Sequence, residues 1–284
     1  MLGEALRLAR SRLIAALGLD ARVAGLEAQI LLSQVLRQTR AHLLAHPEAT
    51  LSDAQQTQFT SLLTRREGGE PIAYLTGERE FYGLAFSVSR AVLIPRPETE
   101  LLVELALARI PQGVPLRVLD LGTGSGAIAI TLAKLRPQAR VTAADKSTEA
   151  LAMASANATR LGAANVEFMH SDWFAALDPA WRFDLIVANP PYVEENDAHL
   201  SQGDVRFEPR MALTSGVDGL DAIRHIAQTS PNYLTSSGHL LFEHGYNQGD
   251  LCKSLLDTLG YSDVASYGDL NGLARVASGQ FSPG

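Results

Sequence analysis

The tetrapeptide Asn189-Pro190-Pro191-Tyr192 closes the apolar run FDLIVA at 183–188. Proline gives no N–H to a sheet ladder, so a strand ending there must leave the sheet, and its carbonyls lose their usual partners. The amide of Asn189 and the carbonyl of Pro190 are then open to a ligand, although an ordinary turn accounts equally well for the bare tetrapeptide. A second group is Asp120-Leu121-Gly122-Thr123-Gly124-Ser125-Gly126, which precedes the apolar run AIAITLAKL. Its glycines let the backbone turn sharply and approach a ligand without a Cβ clash, and the N-terminus of the next helix offers free N–H groups. Asp145 follows roughly twenty residues later, the spacing of a carboxylate that accepts ribose hydroxyls. It also suits the start of a helix before Ser147. Asp172-Trp173 pairs a carboxylate able to take an adenine amino proton with an indole able to pack on the ring, or with a half-buried structural one.

These groups need elements to hold them in place. From Leu116 onward, strand-like runs (LRVLDLG, ARVTAADK, NVEFMHSD, FDLIVANPP, GHLLFEHG) alternate with helix-like ones. That order predicts βαβ units and a mostly parallel sheet with helices on both faces. Ligands of such sheets lie beyond the carboxyl ends of the strands, where every motif above falls. Residues 1–77 read differently, as a small helical domain. Leu2, Leu6, Ala9, Leu13 and Leu17 share one helix face, and Ser52 with Gln55 has the spacing of a capping box. Residues 78–94, alternating around Gly83, read as a connecting β-hairpin, and 95–284 as the catalytic domain. It opens on a helix with Pro97 in the first turn and Glu98 and Glu100 near its positive end.

Composition removes several classes. The 284 residues are 46% hydrophobic and 19% charged, as in an ordinary soluble protein. A single cysteine, Cys252, allows neither an internal disulfide nor a Cys-based zinc site. His42 and His46 are four apart, but no carboxylates accompany them, so no metal is expected. The N-terminal segment carries charges throughout and reads as neither a signal peptide nor a membrane span, which with the lone cysteine points to the cytoplasm. Residues 1–79 hold nine Lys/Arg against eight Asp/Glu, leaving 15 against 23 in the remainder of a chain of net charge −7. No basic stripe for direct nucleic-acid binding is visible.

The glycine loop alone leaves the ligand open. Gly122-x-Gly124-x-x-Ala127 satisfies the loose dinucleotide fingerprint, which keeps a nicotinamide dehydrogenase in play. Read from Asp120, the loop resembles that of class I S-adenosylmethionine methyltransferases, and a carboxylate there suits an ammonium and a sulfonium better than a pyrophosphate. Taken together, RREGGEPIAYLTG at 65–77, IPRPETE at 94–100, DLGTGSG at 120–126, DW at 172–173, NPPY at 189–192 and DVRFEPRMAL at 204–213 closely resemble the bacterial release-factor glutamine methyltransferases across essentially the whole chain. NPPY by itself is shared with methyltransferases acting on adenine in DNA, the alternative reading, and with the sister enzyme that methylates a glutamine of a ribosomal protein.

The resemblance implies a Rossmann-like α/β catalytic domain behind a helical substrate-recognition domain. It implies S-adenosylmethionine as cofactor and S-adenosylhomocysteine as product, with Asp120, Gly122, Thr123, Gly124, Ser125, Gly126, Asp145, Asp172, Trp173 and Asn189 as the cofactor-binding set. The substrate would be the Gly-Gly-Gln glutamine of class I release factors, held by Asn189, Pro190, Pro191 and Tyr192, with Asn189, Pro190 and Tyr192 catalytic. A monomer without membrane or direct nucleic-acid partners is expected. An amide nitrogen is a poor nucleophile, so two acceptors that fix its NH2 group would be the chemical use of Asn189 and Pro190. By the same resemblance, the terminal ARVASGQF supplies an antiparallel edge strand. Glu243-His244 closes a core strand, where a supporting role and a solvated strand end are equally open.

Overall fold

A computed structural model describes residues 1–282. It contains two compact units, the first of which comprises Met1–Glu78 and Ser201–Phe207. Its helices are α1 (Leu2–Leu17), α2 (Ala21–Leu36), α3 (Arg40–Ala45), α4 (Asp53–Glu67) and α5 (Ile72–Thr76). Helix α4 starts in a complete capping box: the Gln55 N–H donates to Ser52 Oγ and the Ser52 N–H to Gln55 Oε1, satisfying two donors that a helix start leaves open. On α1, Leu2, Ala9 and Leu13 are buried with Leu31, Leu32, Phe59 and Leu63, and Leu6 and Leu17 pack at the margin. Arg66 is only 4% exposed. Its guanidinium makes two hydrogen bonds to Glu27, at 2.8 and 3.0 Å, and a third to Asp204 at 2.8 Å. Arg206 donates to the Gly68 carbonyl at 2.6 Å. Residues 201–207, placed by the sequence reading in the catalytic portion, therefore cluster with the helices, held by ion pairing across 138 positions that leaves no local pattern.

The second unit spans Arg79–Leu200 and Glu208 onward. The hairpin β1 (Glu78–Phe81) and β2 (Leu84–Ser87) buries Phe81 and Phe86 against Leu102, Val103 and Ala106 of α6 (Glu100–Arg109). Pro97 opens a single 3-10 turn, Pro97–Thr99, and the α-helix starts only at Glu100. There follow β3 (Arg117–Leu121), α7 (Ala127–Leu135), β4 (Arg140–Asp145), α8 (Thr148–Leu161), β5 (Val166–His170), β6 (Phe183–Ala188), α9 (Asp221–Thr229), β7 (Leu234–Glu243), α10 (Gly249–Thr258), β8 (Ser262–Gly268) and β9 (Ala274–Gln280).

The seven strands lie in the order β5-β4-β3-β6-β7-β9-β8. The first five run parallel. Alternate residues feed opposite cores: Val118, Val141 and Val187 pack with α6 and α7, while Leu119, Ile186 and Phe242 pack with α9 and α10. Strand order reverses between β3 and β6, which opens the ligand crevice of such sheets. Register then does the positioning. Leu121 pairs with Ala188, so the glycine loop leaves the sheet beside Asn189. Ala188 pairs with Phe242, so Glu243 emerges on Asn189's other side. Asp145 pairs with His170, next to Ser171 and Asp172.

The C-terminal strand corrects one expectation. β9 is antiparallel to β7, but it lies between β7 and β8 rather than at the edge. Its Val276 and Ala277 are fully buried in the two opposite cores and need cover on both faces. The mixed small and polar segment SDVASYG of β8 has no fully buried residue and tolerates the edge. No helix among the described residues is long and apolar enough to cross a membrane.

Candidate active site

The glycine loop joins β3 to α7. Gly124 has φ +56°, and a Cβ placed on it would meet nothing within 4 Å, so its bare face opens onto a cavity whose walls include Thr99, Gly122, Thr123, Gly124, Ser125, Asp145, Asp172, Trp173, Asn189 and Pro191. Gly126 serves packing instead. It is not on that wall, and a Cβ there would sit 2.6 Å from the Ile130 side chain. Asp120 is fully buried beneath the loop, off the cavity wall. Its Oδ2 accepts the Thr123 hydroxyl at 2.7 Å, and its Oδ1 is buried with no hydrogen-bond partner among the described residues. Burial pushes this carboxyl up to about 7, against the pull of Thr123.

Asp145 bridges two backbone segments. Its Oδ2 accepts the Gly124 N–H and its Oδ1 the Ser147 N–H, both at 2.8 Å. Ser147 in turn caps α8 through the Ala150 N–H. Asp145 thus stands at the start of α8, as one of its two readings has it, and ties that start to the glycine loop, while each carboxylate oxygen keeps a further lone pair. Asp172 is half-exposed and pairs with Lys146 at 2.6 Å. Trp173 takes the left-handed φ of +51° and lays its ring edge 3.5 Å from the position of a Cβ on Gly122.

Asn189 follows β6 at the floor of the crevice. Its Nδ2 donates to Thr99 Oγ1 at 3.1 Å. That leaves Asn189 Oδ1 and the Pro190 carbonyl as acceptors with no hydrogen bond among the described residues. Pro190 is buried, and neither it nor Tyr192 lines the cavity. The Tyr192 hydroxyl donates to Glu243 at 3.1 Å, and burial beside that carboxyl raises its pKa further. The Tyr192 carbonyl accepts Gln248 Nε2 at 3.1 Å, while Gln248 Oε1 accepts the Gly245 N–H at 2.8 Å. Beyond it, Val193 bonds the Leu213 carbonyl and Ser215 the Val193 carbonyl. The stiffness of this turn therefore comes from Gln248 and a short bridge as well as from the two prolines.

The methyltransferase small domain family matches residues 98–206, and the PrmC N-terminal domain family matches residues 4–77. A release factor glutamine methyltransferase of Neisseria gonorrhoeae is 50% identical over 90% of this chain and 93% of its own length. Those of Salmonella typhimurium and Escherichia coli are 49% and 48% identical over 90% of this chain, covering 92% and 91% of their lengths. The chain belongs to the release factor glutamine methyltransferase family. Among solved structures, a methyltransferase from Pyrococcus furiosus aligns with 79% of this chain and all of its own at a TM-score of 0.54 and 18% identity. A Thermus thermophilus 16S rRNA N2 G1207 methyltransferase in complex with AdoMet and guanosine aligns with 72% of this chain and 49% of its own at 0.51 and 20%. These likenesses establish the methyltransferase fold.

For a release factor glutamine methyltransferase, three supports of the site were not visible as such in the sequence. Glu208, 4% exposed, accepts the Ile94 N–H at 3.1 Å and pairs with Arg96. It thereby joins the motifs IPRPETE and DVRFEPRMAL, which the sequence reading quoted without a shared purpose. Asn157 is fully buried and donates to the carbonyls of Ser87 and Ser125 while accepting the Ser87 N–H. An asparagine on the inner face of a helix is the signal that could have exposed it. Thr99 reaches Asn189 across 90 positions, and only its place inside IPRPETE marks it.

Proposed function

We propose that this chain transfers the methyl group of S-adenosylmethionine to the side-chain nitrogen (N5) of the glutamine in the Gly-Gly-Gln motif of class I peptide chain release factors, acting in the cytoplasm as a monomer. The observation that carries the reading is Asn189 Oδ1, an acceptor with no hydrogen bond among the described residues, on the wall of a cavity that also contains Gly124 and Asp145, with the equally uncommitted Pro190 carbonyl in the following residue, off that wall.

The residues present fit the cofactor. Gly124 leaves open space where any side chain would project, and Asp145 holds lone pairs beyond those given to the two N–H groups. In this reading Asp145 accepts the ribose hydroxyls, Asp172 and Trp173 flank the adenine, and Thr123, Gly124 and Ser125 line the path between. Asp120 acts from beneath, by holding Thr123. When bound, S-adenosylmethionine supplies an electrophilic methyl carbon on a sulfonium.

The chain's task is to orient the weak nucleophile. Asn189 and Pro190 each accept one N–H of the substrate amide, which fixes the plane of the NH2 group and stabilises positive charge developing on nitrogen. Such positioning contributes on the order of 7–11 kcal/mol in favourable cases. Tyr192, anchored at both its hydroxyl and its carbonyl, holds this turn in place. No strong base is required, because the alkylated nitrogen is acidic and releases its proton to solvent. A macromolecular substrate needs contact area well beyond one side chain, and the helical unit is assigned to that recognition.

The test incubates the protein and labelled S-adenosylmethionine with a release factor and with a variant in which the Gly-Gly-Gln glutamine is replaced, then maps the methyl by peptide mass spectrometry. Label confined to the glutamine nitrogen is expected, with Asn189→Ala slower by a factor on the order of a hundred. Equal labelling of both proteins, or methylation of adenine in duplex DNA, would overturn the reading.

A further inference from the structure

Among the described residues, five other than glycine have a positive φ, and of these Trp173 alone is on the wall of the cavity. A side chain this bulky is strained in that conformation and keeps it only where its surroundings over-determine it. The Asp172 carbonyl accepts the Ala175 N–H at 3.0 Å, which makes 172–175 a turn with Trp173 at its first central position. A positive φ there belongs to the primed turns, in which glycine, asparagine or aspartate is the usual residue. The chain carries an indole instead.

Ser171 closes this turn. It directly follows β5, is 3% exposed and donates its N–H to the Asp145 carbonyl at 3.0 Å. Its hydroxyl donates to the Trp173 carbonyl at 2.7 Å and accepts the Ala176 N–H at 3.0 Å. One side chain rooted at the end of the sheet thus grips both the strained residue and the far end of the turn. A change of φ at Trp173 turns its carbonyl relative to Ser171, so the 2.7 Å bond and the left-handed backbone stand or fall together. Held this way, the indole edge reaches the face of Gly122 on which a side chain would sit, 3.5 Å from the position of its Cβ.

We propose that Ser171 is a positioning residue that holds Trp173 in its left-handed conformation, and with it the indole wall against which the adenine of the cofactor packs. Glycine would make the turn without strain but would bring no ring, and a tryptophan relaxed to negative φ would carry its ring away from Gly122. This rests on the reading of the cavity as an S-adenosylmethionine site with Asp172 and Trp173 at its adenine end.

The experiment compares wild type, Ser171→Ala, Trp173→Ala and the Ser171→Ala/Trp173→Ala double variant by thermal melting and by calorimetry with S-adenosylmethionine and S-adenosylhomocysteine. Wild type and Ser171→Ala are also made in a Trp181→Phe background, which leaves Trp173 as the sole tryptophan, and its emission and acrylamide quenching are read without ligand. Ser171→Ala should weaken both ligands about 3- to 10-fold, the effect of losing one hydrogen bond that maintains a binding-competent conformation. Its emission should move to longer wavelength and its quenching should rise, a signature that lower stability alone would not give in a protein that remains folded. The double variant should bind within about twofold of Trp173→Ala, because Ser171 acts through the ring. Wild-type affinity or wild-type emission in Ser171→Ala would overturn the proposal. So would losses that multiply in the double variant, which would give Ser171 a contact of its own with the ligand. If Ser171→Ala does not fold, Ser171→Cys, whose thiol is only a weak donor, takes its place. If the wild-type protein binds neither ligand, the cofactor reading fails and this proposal fails with it.

Discussion

Gly219 tests whether the Asn-Pro-Pro-Tyr turn is held by its own backbone carbonyl. It has φ +74°, and a Cβ there would lie 2.2 Å from the Tyr192 carbonyl oxygen and 2.9 Å from both the carbonyl carbon and Gln248 Nε2. Ordinary contact begins near 3.4 Å, so in Gly219→Ala the carbonyl must retreat by about 1 Å, and the Gln248 hydrogen bond must break or follow. A left-handed backbone costs an alanine about 1–2 kcal/mol and the forced contact about 1–3 more. Tyr192 is three residues from Asn189, and a misplacement of about 1 Å at a positioning group can lower a rate about 100-fold. The assay is kcat on a release factor at saturating S-adenosylmethionine, alongside urea unfolding. The control is Gly113→Ala, where φ is +77° and a Cβ meets nothing within 4 Å, so that only backbone strain is sampled. Gly219→Ala should lose more stability than the control and, unlike it, most of its turnover. Equal stability losses with full turnover in both would show that the Tyr192 carbonyl does not hold the turn.

Burial raises the Asp120 carboxyl from 3.8 to about 7, so the fold binds that proton more tightly than the unfolded chain does. Its contribution is whole below 3.8 and is lost as pH rises through about 7, a change on the order of 4 kcal/mol. Asp120→Asn, which mimics the protonated form and still accepts from Thr123, should flatten the slope of stability between pH 4 and 7. Identical slopes in urea titrations of the two proteins would exclude Asp120 as its source. For the cofactor, Gly124→Val fills the open face of the loop, and Asp145→Ala removes the acceptor shared by Gly124 and Ser147. Each should weaken S-adenosylmethionine binding measured by calorimetry at least tenfold, and two unchanged isotherms would misplace the site.

Most of the architecture was legible because it is periodic or punctuated. Alternating strand and helix runs place Asp120–Gly126, Asp145, Asp172 and Asn189 at strand ends, and the Ser52–Gln55 box marks where α4 begins. What stayed hidden is set by partners far apart in the chain. The burial of Asp120 beneath its loop depends on neighbours on both sides of β3. The grip of Glu208 on Ile94 and Arg96 spans more than a hundred residues, and no local propensity encodes it. β8 was invisible for a different reason. SDVASYG carries no strong alternation, since an edge strand needs little apolar surface.

The ion pairs of Arg66 also set a schedule. Glu27 precedes Arg66 in the chain, so that half of the charge cluster can close as soon as α4 emerges during synthesis. Asp204 arrives 138 residues later, an interval of roughly 7–28 s at ordinary rates of elongation. For that time the helical unit has its apolar core but lacks residues 201–207, and one arm of a nearly buried guanidinium waits for its carboxylate.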